Sequence, residues 1–143
     1  MIGRLNHVGV ATPSIEESWR LYRDVLGARS ITNRRALAEQ GVFVSFVDLP
    51  NCQIELIEPL GEASPINRFL ERNPRGGQHH VCFEVDDLLA AREEMRAKGA
   101  RVLGTGEPRI GAHGVPVIFV DPKDMGGVLV ELMQKPGAGG AHA

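Results

Sequence analysis

A chain of 143 residues with 43% apolar and 24% charged side chains has the composition of one soluble globular domain, large enough to bury a core without staples. A formal charge of -2 gives no electrostatic footing for nucleic acid or an anionic membrane, and no apolar run approaches the roughly 20 residues a membrane span needs. Cys52 and Cys82 sit singly inside apolar, strand-like runs. That argues against a disulfide framework or a thiolate zinc site and reads both as reduced packing residues.

In chain order, the first element is a strand from Leu5 to Ala11, already running so early that no leader is expected and the location reads as cytoplasmic. An amphipathic helix follows, with Ile15, Trp19, Tyr22 and Val25 or Leu26 on one face, Ser14 and Glu17 as a capping box, and Gly27 as the stop. Strands are expected at Arg29–Arg34, Gly41–Asp48 and Cys52–Glu58. The stretch Gln78–Ala100 then repeats the pattern of Leu5–Ala28: a strand with His79 and His80, a polar turn, and a helix carrying Leu88, Ala91 or Arg92, and Met95. Asp86 or Asp87 caps that helix and Gly99 ends it. Further strands are expected at Arg101–Gly104, Val115–Val120 and Val128–Leu132. The fold class is therefore α+β, two tandem βαβββ modules at about residues 4–60 and 77–134 inside one domain spanning 1–134. The Gly/Ala-rich segment 135–143 reads as a flexible tail.

A repeat argues fold, not function; what the repeat carries is informative. Period-two alternation puts Val8 and Val10 on one face of the first strand and His7 on the other. In the same way His80 faces away from His79, Val81, Phe83 and Val85; Glu55 from Ile54 and Leu56; and Glu131 from Val128, Val130 and Leu132. Each module thus offers one His on its first strand and one Glu on its last, opposite the aliphatic packing. If curved mixed sheets turn those faces to a common cleft, two imidazoles and two carboxylates meet there. That set suits one divalent ion per chain such as Co, Ni, Mn, Fe or Zn, with positions left for a chelating substrate.

The stretches L-N-H-V-G-V-A (Leu5–Ala11), I-E-L-I-E-P-L-G (Ile54–Gly61) with S-P-I (Ser64–Ile66), G-G-Q-H-H-V (Gly76–Val81), I-G-A-H-G-V-P-V-I-F (Ile110–Phe119) and P-K-D-M-G-G-V-L-V-E-L (Pro122–Leu132) carry a resemblance. From Leu5 to Gln134 the chain resembles the vicinal oxygen chelate (glyoxalase/bleomycin resistance-like) superfamily, and within it the methylmalonyl-CoA epimerase branch. The resemblance implies interconversion of (2R)- and (2S)-methylmalonyl-CoA in propionyl-CoA metabolism, with His7, Glu55, His80 and Glu131 as metal ligands. It further implies cobalt as the ion, an acyl-CoA substrate and a homodimer. Some epimerases of this branch carry Gln at the position of Glu55 and an extra Glu on the preceding strand; here that strand, Gly41–Val47, offers only apolar residues and Ser45.

Epimerisation removes the weakly acidic α-proton of a thioester from one face and returns one to the other. On that resemblance a divalent ion would supply Lewis-acid stabilisation of the developing enolate, and Glu55 and Glu131, each alternating between ligand and base, are the expected acid–base pair. His113 and Lys123 are candidate substrate contacts, Arg34, Arg35 and Arg109 candidate partners for CoA phosphates, and His79 reads as structural. Two competing functions fit the same fold: a glyoxalase I-like lactoylglutathione lyase, which uses the same two His and two Glu, and a non-catalytic small-molecule-binding protein, which needs no such ligands.

Overall fold

The computed structural model describes residues 1–137, so most of the expected tail, residues 138–143, lies outside the described residues. Among the described residues, eight strands follow the hydrogen-bonded order β2-β3-β4-β1-β5-β8-β7-β6 in a mixed sheet: β1 (Ile2–Ala11), β2 (Arg35–Leu37), β3 (Val42–Asp48), β4 (Gln53–Pro59), β5 (Gly77–Val85), β6 (Arg109–Ile110), β7 (Pro116–Val120) and β8 (Val130–Gln134). Among the described residues, the α-helices α1 (Ile15–Arg20), α2 (Asn67–Arg72) and α3 (Leu88–Ala97) complete the framework. The chain forms two compact units, one of residues His7–His79 and one of Met1–Asn6 with His80 onward.

In the unit His7–His79, β1 runs parallel to β4, and β4 antiparallel to β3, which pairs antiparallel with β2. Helix α1 covers the face carrying Val10, Ile54, Leu56, Phe43 and Val47, with Ile15, Trp19 and Tyr22 packed into it. Ser14 caps the helix by accepting from Glu17 N–H at 3.2 Å, but the reciprocal half of the expected capping box is absent: Ser14 N–H donates to Thr12 Oγ1 instead, and the Glu17 side chain pairs with Arg20. Beyond Arg20 the helix widens into a π-helical turn, Leu21–Val25, whose closing bond runs from Leu26 N–H to Leu21 O at 3.1 Å. The wider turn breaks the 3.6-residue stripe. Val25 and Leu26, expected on the packed face, are accordingly 73% and 70% exposed. The indole of Trp19 donates to Ser45 Oγ at 2.8 Å and that hydroxyl to Thr32 O at 2.6 Å, so the buried polar groups on this face are satisfied.

The other unit repeats the scheme: β5 is parallel to β8, β8 antiparallel to β7, and β7 antiparallel to β6. Leu88 and Ala91 of α3 pack against Val85, Ile118, Val120, Val130 and Leu132, which selects Ala91 rather than Arg92 for the buried stripe. Asp87, not Asp86, caps α3, accepting from Ala90 N–H at 3.1 Å.

The strands expected at Arg29–Arg34 and Arg101–Gly104 are each reduced to a single bridge, Ile31 to Val47 and Val102 to Val120. Each segment contributes one apolar anchor to its core and is otherwise polar or turning, so it cannot sustain a ladder. The paired second strand falls later in both halves, at β2 and β6. Val128, expected in the last strand, precedes it and is 44% exposed, because the turn through Gly126 and Gly127 returns Val128 N–H to Met125 O. Helix α2, which no apolar period announces, lies in the connection from β4 to β5. That connection ends at Gly76, whose φ is +90° and where an added Cβ would stand 2.2 Å from the Ala11 carbonyl oxygen; only glycine admits that approach.

Arg101 clamps Asp124 through its backbone N–H, Nε and Nη2 at 3.0, 2.8 and 3.1 Å. Hydrogen bonds from that guanidinium, before any longer-range charge effect, hold the Asp124 carboxyl below its usual range. A depressed carboxylate pKa contributes stability above the ordinary value, and the contribution is lost as pH falls through the folded value. Asp124→Asn is therefore expected to lower the urea midpoint slightly at pH 7 and to coincide with wild type in strong acid. Urea melts at both pH values check this, with added salt shrinking the neutral difference because the pair is exposed.

Candidate functional site

In the unit His7–His79, the parallel register sets Gly9 opposite Glu55 and His7 opposite Gln53, so His7 and Glu55 project from the same face of adjacent strands. His7 Nε2 lies 3.7 Å from Glu55 Oε2. The second unit carries the same arrangement: Cys82 stands opposite Glu131 in the parallel register, His80 is two positions earlier on β5, and its Nε2 lies 3.1 Å from Glu131 Oε1. In both, the histidine precedes the glutamate's register partner by two residues. The offset follows from strand direction and alternation, which the duplicated sequence fixes twice.

The next strand adds a matching residue to each pair. Phe46 on β3 is opposite Glu55, and Phe119 on β7 is opposite Glu131. The Phe119 ring meets the His80 imidazole edge-on at 5.8 Å between centroids. Sequence reasoning missed both phenylalanines, although F-V-D at Phe46–Asp48 and again at Phe119–Asp121 signals them. Val42 and Val44 share the Phe46 face, while Ser45 turns toward Trp19, so no carboxylate from β3 joins Glu55 along that run. Asp48, at the strand's end, is held by Ser30 and Gln53.

The four side chains are deeply buried: His7 is 1%, Glu55 7%, His80 5% and Glu131 6% exposed. Burying carboxylates is costly unless a cation or proton compensates them. Imidazole nitrogen with carboxylate oxygen is the donor chemistry of divalent transition ions. The donor types of each His–Glu pair thus fit a metal ion, and the fold together with a possible metal-binding group points to a divalent metal.

The remaining candidates separate. His113 is half-buried in the turn Gly111–Gly114, where a Cβ added at Gly111 would lie 3.7 Å from Glu131 Oε2. Lys123 is exposed on the turn Pro122–Asp124, and the described contacts do not bring it to the His80–Glu131 pair. Arg34 stacks on Phe43 at 3.5 Å and pairs with Glu58, on the face covered by α1. Arg35 and Arg109 are exposed on β2 and β6. His79 packs edge-on against Phe69 of α2, consistent with a structural part. Cys52 and Cys82 are both free and buried, as expected of packing residues.

The mixed sheet and the twice-repeated unit define the class: residues 6–119 match the Glyoxalase/Bleomycin resistance protein/Dioxygenase superfamily, and the chain belongs to it. Among curated proteins it is 57% identical to the ethylmalonyl-CoA/methylmalonyl-CoA epimerase of Cereibacter sphaeroides, over 94% of this chain and 99% of that one. It is 54% identical to the mitochondrial methylmalonyl-CoA epimerase of Mus musculus, over 93% of this chain and 74% of the relative. Among solved structures, a methylmalonyl-CoA epimerase in complex with methylmalonyl-CoA and NH4+ superposes with a TM-score of 0.85 at 31% identity, covering 96% of this chain and 98% of that one. The methylmalonyl-CoA epimerase of Mycobacterium tuberculosis gives a TM-score of 0.86 at 31% identity, covering 99% and 93%. Among the described residues, no helix is long and apolar enough to cross a membrane.

Proposed function

We propose that this protein is a methylmalonyl-CoA epimerase, interconverting the two C2 epimers of its acyl-CoA substrate at one divalent ion held by His7, Glu55, His80 and Glu131. The observation that carries the proposal is the doubled His–Glu–Phe arrangement at one register offset, in a chain 57% identical to a curated epimerase of that specificity. Packing alone asks for no such repetition.

Held by His7, Glu55, His80 and Glu131, a divalent ion would supply Lewis-acid stabilisation of the negative charge that develops when the C2 proton leaves, an effect worth several kcal/mol. Glu55 and Glu131 do the proton work. One carboxylate accepts the α-proton from its side of the substrate, and the other, protonated, delivers a proton from the opposite side. With β3 presenting Val42, Val44 and Phe46 beside Glu55, these two glutamates are the natural pair. Phe46 and Phe119 shield the carboxylates from water, which strengthens the electrostatic interactions around them. His113 and Lys123 serve as substrate contacts, the former from its turn beside Glu131. Cobalt as the ion, a homodimer, a cytoplasmic setting and a single domain over residues 1–134 complete the reading.

The test is NMR of a single epimer of methylmalonyl-CoA in deuterated water, with the hemithioacetal of methylglyoxal and glutathione run in parallel. Rapid deuterium entry at C2 with inversion, and no lactoylglutathione, is the expected outcome. Turnover of the hemithioacetal alone would replace the epimerase with a glyoxalase I-like lyase, and inertness toward both would leave a binding protein.

A further inference from the structure

We infer that Phe119 recognises the alkyl group on C2 of the substrate and sets the size of the group accepted there; this rests on the epimerase reading of the site. In the second unit, the sheet face that carries His80 and Glu131 is largely closed. Cys82 of β5, Met133 of β8 and Val117 of β7 are buried on it together with that pair. Phe119, and Val115 just ahead of β7, pack on the cluster of Cys82, Val117 and Met133 but stay only partly buried. A large apolar ring left partly open beside a buried ionisable pair is informative, since such rings gain most from full burial. The other half makes the contrast. Phe46, which stands across from Glu55 as Phe119 does from Glu131, is 7% exposed, and Val42 and Val44 on its face are buried too. Both halves repeat the phenylalanine; they differ in whether a ligand can touch it.

Register and ring contact place that open ring at the reacting carbon. Phe119 and Glu131 are directly opposed on antiparallel strands, a pairing that sets Cβ atoms about 4.5–5.5 Å apart on one face. The Phe119 ring also meets the His80 imidazole edge-on at 5.8 Å between centroids. A carboxylate that takes the C2 proton must come within about 3 Å of that carbon's hydrogen-bearing side, which brings the neighbouring ring within reach of the other groups on C2. Those groups are a carboxylate, a thioester carbonyl and a methyl. The first two call for polar partners, whereas the methyl gains from an apolar wall. When the proton leaves, C2 becomes planar, and the methyl keeps one place in that plane whichever epimer it came from. One wall therefore serves both directions of the reaction.

The experiment follows deuterium entry at C2 by NMR for malonyl-CoA, methylmalonyl-CoA and ethylmalonyl-CoA, with wild type and with Phe119→Ala. The three thioesters differ only in carrying hydrogen, methyl or ethyl at C2. Truncating the ring is expected to lower kcat/KM for methylmalonyl-CoA about tenfold more than for malonyl-CoA, the usual weight of one small apolar group in a fitted site. The ratio of ethylmalonyl-CoA to methylmalonyl-CoA is expected to rise by about the same factor, because the truncated site has room for the longer group. Each is a ratio within one preparation, so ion loading and any general loss of activity cancel. Equal losses for all three thioesters would confine Phe119 to packing or to shielding Glu131 and overturn the inference, as would unchanged rates. Should Phe119→Ala fail to fold, Phe119→Leu keeps an apolar side chain on Cys82, Val117 and Met133. Both ratios are expected to move in the same directions in it, and unmoved ratios would overturn the inference. A wild type that exchanges none of the three would sink the epimerase reading and this one with it; exchange by the wild type with unmoved ratios in the variants sinks this one alone.

Discussion

Replacing Glu131 by Gln is expected to abolish inversion of methylmalonyl-CoA, with the rate falling by about 10²- to 10⁴-fold, the usual contribution of a positioned acid or base. The amide keeps the size of the side chain and an oxygen toward His80, which lies 3.1 Å from the carboxylate, so substantial metal is retained. What is lost is the capacity to take and return a proton. If each glutamate works one side of the substrate, the variant leaves a distinctive trace. One epimer, whose C2 proton faces Glu55, continues to wash in deuterium without inverting, while the other does neither. Glu55→Gln is expected to show the mirror image. NMR of each epimer separately in deuterated water reads both quantities, and undiminished inversion in Glu131→Gln would remove it from the base role. The metal-free variant should be no less stable than wild type, since the change takes one charge out of a side chain that is only 6% exposed.

Removing the ion is expected to have an effect of comparable size. A Lewis acid at a developing enolate supplies several kcal/mol, and each 1.36 kcal/mol is tenfold in rate, so exhaustive chelation should cost on the order of 10³-fold. Activity should return on adding Co2+, Ni2+ or Mn2+, to different extents because one nitrogen and oxygen donor set accepts them all. A second readout is independent of substrate: at a free ion concentration of about 100 times Kd the folded state gains roughly 2.7 kcal/mol, seen as a rise in melting temperature over the stripped protein. Full turnover by a protein shown to be metal-free would end the case for the centre.

The doubled β-α-β-β-β order was legible because its two helices carry clear stripes and caps and its four inner strands alternate cleanly. The face of each strand that carries these histidines and glutamates followed from the same alternation, and His7 beside Glu55 and His80 beside Glu131 are its direct products. The second strand of each half was misplaced because sequence shows where an apolar anchor sits, at Ile31 and Val102, and not whether its polar neighbours find a ladder. The π-helical turn after Arg20 was invisible for a related reason: Val25 and Leu26 continue the apolar spacing, and only the backbone shows that the spiral has widened. Phe46 and Phe119 look like ordinary core residues until the register sets each across from a glutamate.

The first strand is divided between the two units: residues Met1–Asn6 belong with the segment from His80, and His7–Ala11 with the segment up to His79. One unit is thus sewn from two pieces of chain separated by the whole of the other, residues 7–79. Closing so long a loop costs entropy before any contact rewards it, which slows folding relative to a chain of equal size with neighbourly contacts. During synthesis the opening residues must stay unpaired until β5 has left the ribosome. Severing the chain near Gly76 should accordingly leave the C-terminal fragment without the Met1–Asn6 piece of its own unit, and that fragment is expected to be less stable alone than with the piece restored.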